Sequence, residues 1–290
     1  MFADAVIAVA IMVGLGLLFA TILAVAYKKL RVDEDPRIDE LEEMLPKSNC
    51  GACGKPGCRA FAEGLVNKDV TPGQCTVSSP AAVEAIAGYL GVDAGFVEKR
   101  VARLLCAGGA QESHNQAEYY GQRTCRSVSM VASGPKDCVW GCLGLGDCAR
   151  VCDFDAIEMN DDGLPVVTPD KCTACNDCVE VCPKALFVLM PVSQKLIVQC
   201  RSLLEGDAAI ERCAVACNAC GRCVADAAPG LIQMKNNLPV IDYSRNETAS
   251  PEAVLRCPTN AIVWVEGQQF RKTISASLPL GRVELMPEEE

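Results

Sequence analysis

From Ala5 to Tyr27 no side chain carries a charge, a run of 23 residues. That length carries a helix across a hydrocarbon core of roughly 30 Å at about 1.5 Å per residue. Asp4 precedes the run, and Lys28, Lys29 and Arg31 close it. A cleaved signal peptide would use Ala24-Val25-Ala26 as its small-residue site. The run is too long for that, lacks a basic n-region and ends at a basic stop. The pattern therefore predicts one membrane-spanning helix, and the positive-inside rule places everything after it in the cytoplasm. The expected location is the cell (inner) membrane, single-pass, with cytoplasmic C-terminal domains. The span holds no ionisable side chain at membrane depth, so no ion path is expected through it.

Beyond the span the apolar pattern is broken into short pieces. A short acidic helix is predicted from Ile38 to Leu45, ending at Pro46. Ser79-Pro80 predicts a helix start, an N-cap followed by proline in the first turn, with the helix running to about Leu90. Val101 to Leu105 and Leu196 to Val198 are apolar runs closed by Cys106 and Cys200. Gly163-Leu-Pro-Val-Val167 and Asn237-Leu-Pro-Val-Ile241 read as hairpin strands. Such short elements do not account for a core in a chain of 290 residues, 50% of them hydrophobic.

Composition supplies what is missing, because twenty residues are cysteine. Disulfides, zinc modules and iron–sulfur clusters are the physical ways to use so many thiols, and a reducing cytoplasm disfavours the first. A single histidine nearly removes His-based metal catalysis. The formal charge of −10, with 27 basic against 37 acidic residues and no long basic run, argues against nucleic acid. No Walker-type P-loop is present and Gly14-x-Gly16 lies in the span, so no nucleotide site is expected.

The cysteines fall into arrays. The first is Cys50, Cys53, Cys58 and Cys75. Zinc usually draws its ligands from two separated CxxC-type pairs, whereas three of these lie close together and one is remote, which favours a 4Fe–4S cluster. The run Cys172-Thr-Ala-Cys175-Asn-Asp-Cys178-Val-Glu-Val-Cys182-Pro183 has the C-x2-C-x2-C-x3-C-P spacing of two-cluster ferredoxins, whose fourth cysteine serves the other cluster. Its upstream partner is Cys138, Cys142, Cys148 and Cys152. Exchange of fourth ligands predicts one cluster on Cys138, Cys142, Cys148 and Cys182 and another on Cys172, Cys175, Cys178 and Cys152.

A shift of 75 residues aligns Cys125, Cys138, Cys142 and Cys148 with Cys200, Cys213, Cys217 and Cys223, and Cys182-Pro183 with Cys257-Pro258. The second copy has Ala227 in place of its fourth cysteine. Asn246, Ala249 and a residue near Glu252 stand for the first three cysteines of its second array. Those losses erase one cluster whole and leave Cys217, Cys220, Cys223 and Cys257 for the other. Cys220 aligns with Leu145, so the second copy offers an extra candidate, and the trio with ferredoxin spacing is preferred. The expectation is four 4Fe–4S clusters. Cys106, Cys125, Cys200 and Cys213 are left over. They read as buried structural thiols or a close thiol pair, with a fifth cluster shared among them as the alternative.

The expected fold class is α+β: a transmembrane anchor with its basic flank over 1–31, a small helical 4Fe–4S domain over 32–95, a two-cluster ferredoxin-like module over 96–195, a degenerate one-cluster module over 196–268, and a tail over 269–290. His114 reads as a solvated side chain. The span, the array Cys50-Gly-Ala-Cys53-Gly-Lys-Pro-Gly-Cys58 and the paired modules resemble the B subunits of Rnf-type ion-translocating ferredoxin:NAD⁺ oxidoreductases. The likeness runs from the span to about Val265. It implies a metal-binding electron-transfer subunit that takes electrons from soluble ferredoxin toward other membrane subunits, with ion translocation coupled elsewhere in the complex. The chain departs from the family pattern by lacking the second cluster of its last module. A tethered ferredoxin adaptor for another reductase, without ion transport, is the alternative. Only nearness to the tether suggests that the Cys50 array delivers electrons and the last module receives them.

Overall fold

The computed structural model describes residues 2–30 and 35–270. Arg31 and the tail from residue 271 onward lie outside the described residues. Helix α1, Phe2–Leu30, is the expected apolar helix. Within it Ala10–Lys29 is long and apolar enough to cross a membrane, and none of that segment is buried by the protein.

Three helices form the next unit: α2 (Arg37–Met44), α3 (Cys58–Val66) and α4 (Pro80–Leu90). Helix α4 begins where Ser79-Pro80 predicted. The Ser79 hydroxyl accepts the Ala82 N–H at 3.2 Å, and Gly91 ends the helix in the left-handed region at φ +63°, the conformation glycine adopts without a Cβ penalty. Ile38, Leu41, Leu45, Phe61, Leu65 and Ile86 make the core. Arg59 ties α3 to α2 through Asp39 and Glu42, each at 2.9 Å.

The remainder is two units with the same nesting. In the first, strand β1 (Arg100–Leu104) is followed by short helices α5 (Cys125–Ser129) and α6 (Asp147–Arg150). Then come strands β2 (Ile157–Met159) and β3 (Pro165–Val167), helix α7 (Asp177–Val181) and strand β4 (Phe187–Pro191). β1 pairs antiparallel with β4, Leu104 opposite Phe187, and encloses the β2–β3 hairpin, Ile157 opposite Val167. In the second unit β5 (Leu196–Val198) precedes α8 (Gly206–Arg212) and α9 (Arg222–Asp226), then β6 (Ile232–Lys235), β7 (Leu238–Ile241) and β8 (Ile262–Trp264). β5 pairs with β8 around the β6–β7 hairpin. The strands are three to five residues long, too short for either hairpin to be stable alone. Both cores combine strand residues with cysteines, such as Cys148 and Cys178 with Leu104, Leu186 and Phe187.

Where the first unit has its C-x2-C-x2-C loop, the second has 3₁₀ turns at Tyr243–Thr248 and Pro251–Val254. Ala227 and Ala249 pack there against Leu196, Leu231, Ile232 and Ile262. Apolar packing thus occupies the place that corresponds to the first unit's cysteine loop. The chain then turns back onto the first unit: Gln269 exchanges hydrogen bonds with both the N–H and the carbonyl of Leu104.

Candidate metal centres

Four small cavities are each walled by four cysteines. The first is lined by Cys50, Cys53, Cys58 and Cys75, with Leu45 and Phe61 of the helical core behind them. Asn49 sets its entrance, its side-chain oxygen accepting the Cys58 N–H at 2.8 Å. A Cβ on Gly57 would stand 2.9 Å from that same oxygen, so a side chain there would press on the Asn49 amide that holds the Cys58 N–H. Ser78 donates its hydroxyl to the Cys75 sulfur at 3.1 Å.

The second cavity is lined by Cys152, Cys172, Cys175 and Cys178. Its loop holds Ala174 and Asn176 at φ 61° and 84°, turning backbone N–H groups toward the sulfurs; the Asp177 N–H reaches Cys175. The third cavity is lined by Cys125, Cys142, Cys148 and Cys182. Spacing predicted Cys138 here, and the structure brings Cys125 instead. The loop backbone supplies the reason. Gly144 and Gly146 take the same positive-φ places as Ala174 and Asn176, which aligns Leu145 with Cys175. The middle thiol of that triplet is therefore missing. Helix α5 swings Cys125 in, anchored where the Arg126 N–H donates to Asp147 Oδ2 at 3.2 Å. The fourth cavity is lined by Cys217, Cys220, Cys223 and Cys257, the set preferred from spacing.

Burial and crowding of the sulfurs disfavour free thiolates at most of these sites. Burial first, then neighbouring sulfurs, pushes the thiols of Cys142, Cys148 and Cys178 up to about 12 and those of Cys175 and Cys217 up to about 11. For Cys175 the neighbouring charge includes Asp177. Cys257 runs the other way. Burial raises it, but the N–H groups of Ile262, Thr259 and Ala261 and the Thr259 hydroxyl hold it below the ordinary thiol range. Two buried cations stand nearby, Arg103 at 1% exposure and Lys136 at 8%. Arg103 loses basicity through burial and regains some from Cys172. Its Nε has no hydrogen-bond partner, and neither does the buried Thr173 hydroxyl on the second cavity's wall. Sequence reasoning did not find these two cations; a charged residue inside an apolar run, Val101-Ala-Arg103-Leu, is the signal that marks one of them.

These features fit 4Fe–4S clusters. The donors are soft thiolates, and the orphaned Arg103 Nε and Thr173 Oγ1 are what an anionic sulfide-bearing group would satisfy. Among the described residues no three His, Cys, Asp or Glu side chains are gathered closely enough to hold one metal ion. Thiols set around a cavity suit a multi-iron group better than a lone tetrahedral zinc with bonds of about 2.3 Å.

The cavities follow one another. The Thr76 hydroxyl donates to the Thr173 carbonyl at 2.7 Å, joining the neighbours of Cys75 and Cys172. Cys148 and Cys178 lie close enough to repel each other's charge and share one core. Cys106, Cys138, Cys200 and Cys213 lie between the third cavity and the fourth. Cys106, Cys200 and Cys213 are buried and Cys138 half-buried.

A family model for an Fe–S cluster domain matches residues 45–77, the segment bearing the first cavity's four cysteines. The fold and this match define the class: a mixed helix-and-strand Fe–S protein with one N-terminal apolar helix. The B subunit of the Na⁺-translocating ferredoxin:NAD⁺ oxidoreductase complex of Acetobacterium woodii is 41% identical, the match covering 85% of this chain and 74% of that one. Its counterpart in the proton-translocating ferredoxin:NAD⁺ oxidoreductase complex of Clostridium ljungdahlii is 37% identical over 87% and 89% of the two chains. The corresponding protein of the ion-translocating oxidoreductase complex of Methanosarcina acetivorans is 34% identical over 88% and 96%. The chain belongs to this family, the B subunits of ion-translocating ferredoxin:NAD⁺ oxidoreductase complexes.

Proposed function

We propose that this chain is the Fe–S electron-transfer subunit of a membrane complex that couples ferredoxin:NAD⁺ oxidoreduction to ion translocation. The observation that carries the reading is the run of four cavities, each lined by four cysteines, each in contact with the next or separated from it by further thiols. When bound, 4Fe–4S clusters supply reversible one-electron oxidation and reduction. The residues that would hold them are Cys50, Cys53, Cys58 and Cys75; Cys152, Cys172, Cys175 and Cys178; Cys125, Cys142, Cys148 and Cys182; and Cys217, Cys220, Cys223 and Cys257. Cys125 takes the place that spacing assigned to Cys138.

The protein's own contribution is positioning and electrostatics. Turn N–H groups point at the sulfurs, and Arg103 offsets negative charge where water is excluded. Segments 96–195 and 196–268 are two ferredoxin-like modules, the second with one set of ligands replaced by apolar packing. They follow the helical unit over 32–95 and the anchor over 1–31, and the domains face the cytoplasm at the cell membrane. Soluble ferredoxin is the electron donor and the other membrane subunits are the acceptor side.

Anaerobic purification of the full chain from its membrane tests this. The expected result is iron and acid-labile sulfide in equal amounts, with flavin-bearing membrane subunits co-purifying. Cys53→Ser in that complex should abolish ferredoxin-driven NAD⁺ reduction in membrane vesicles. Zinc without sulfide would overturn the metal assignment, and a lone chain supporting no NAD⁺ reduction would make it an adaptor.

A further inference from the structure

The twenty cysteines leave four outside these sets: Cys106, Cys138, Cys200 and Cys213. The structure draws them together from four separate segments. The Ala107 N–H donates to the Gln199 carbonyl at 3.0 Å, which sets the next residues, Cys106 and Cys200, side by side. Asp137 and Arg212 form an ion pair at 2.5 Å, immediately before Cys138 and Cys213. Gly108 is the floor between them. A Cβ there would lie 2.7 Å from the Cys213 sulfur and 3.9 Å from that of Cys106. The charges of Cys106, Cys138 and Cys200 all act on Cys213, so the four share one neighbourhood.

That neighbourhood is equipped for an anion. Lys136 is buried there, its ammonium group donating to the carbonyls of Gly108 at 2.6 Å and Cys142 at 3.0 Å. Burying a cation is costly unless a negative charge compensates it. The Cys142 N–H donates to the Cys106 sulfur, and the N–H groups of Cys217 and Ser202 to the Cys200 sulfur, each at 3.4 Å. Backbone donors aimed at sulfur favour the thiolate form.

We infer that Cys106, Cys138, Cys200 and Cys213 are the ligands of a fifth 4Fe–4S cluster, bridging the two halves of the chain. This rests on the Fe–S reading above. The position explains why two of the backbone donors belong to Cys142 and Cys217, residues of the flanking sets on either side. With it the cysteine sets form one series from the Cys50 cavity to the Cys217 cavity, with no gap between the modules.

Native mass spectrometry of the anaerobically purified full chain, with iron and sulfide analysis, tests the inference. The heaviest wild-type species should carry five clusters, about 20 iron and 20 sulfide per chain at four of each per cluster. Cys213→Ser and Cys106→Ser should each remove about four irons and four sulfides. Gly108→Ala, which drives a methyl group against the Cys213 sulfur, should produce the same loss. Cys220→Ser should lose a different cluster and keep this one. A heaviest wild-type species of four clusters, with these four thiols open to alkylation, would overturn the fifth site and leave the other four standing. Zinc without sulfide would overturn both. The wild-type count decides the matter even where a variant fails to fold.

Discussion

Arg103 and Lys136 are buried cations held by backbone carbonyls, of Gly267 for the first and of Gly108 and Cys142 for the second. Each is offset only when negative charge accumulates on the nearby sulfurs. A positive charge close to a redox group favours its reduced form, so Arg103→Met should lower the midpoint potential of the centre at Cys172. Iron content should be unchanged, and an EPR-monitored titration reads the shift. Proton linkage belongs to this scale too. The thiols of Cys142, Cys148 and Cys178 are pushed up to about 12, so they are protonated at neutral pH, and cluster ligation must release those protons. Reconstitution of the apoprotein should therefore acidify a weakly buffered solution and be favoured progressively as pH rises above neutrality toward the raised thiol range of about 12. A pH-stat measurement showing no proton release would contradict this. Single residues were also the hardest part of the sequence to read. Cys125 lies far from its partners along the chain; the repeat already set Leu145 opposite Cys220, but only the structure shows that Cys125 joins Cys142, Cys148 and Cys182.

Among the elements, α2, α3 and α4 make the helical unit with a conventional core, and Phe61 is 1% exposed within it. Phe61→Ala should cost about 3–5 kcal/mol of that unit's stability, and Ser79→Ala about 1 kcal/mol through loss of the helix cap; denaturation of the holoprotein monitored by circular dichroism measures both. The cap was legible as Ser79-Pro80, because capping chemistry is local. The strands were legible as apolar runs, but their partners were not. β1 pairs with β4 and β5 with β8 across long intervening segments, and alternation within three to five residues cannot specify a partner. The repeat implied only that the two units share one arrangement. Cysteines make up part of the core of both later units, so chelation of iron under anaerobic conditions should disorder the cysteine-bearing loops around α6, α7 and α9 while α2 to α4 persist. Amide hydrogen exchange would register that as selective loss of protection.

For the whole molecule, the second unit differs from the first where the first has its C-x2-C-x2-C loop. Ala227, Ala249 and two 3₁₀ turns fill the space with apolar packing, and Tyr243 supports it by donating its hydroxyl to the Leu196 carbonyl at 2.9 Å. The thiol sites adjoin one another from the Cys50 unit to Cys257. Contacts between units, Thr76 to Thr173 and Gln269 to Leu104, hold that order. An electron carrier needs this continuity, whereas independent structural zinc sites have no use for it. The decisive experiment is a titration of the anaerobically purified full chain with reduced ferredoxin, followed by visible absorption and EPR. The expected result is bleaching of the iron–sulfur absorption and paramagnetic cluster signals, with more than one electron taken up per chain. A chain that is colourless, or whose absorption reduced ferredoxin leaves unchanged, would show that it is no electron carrier.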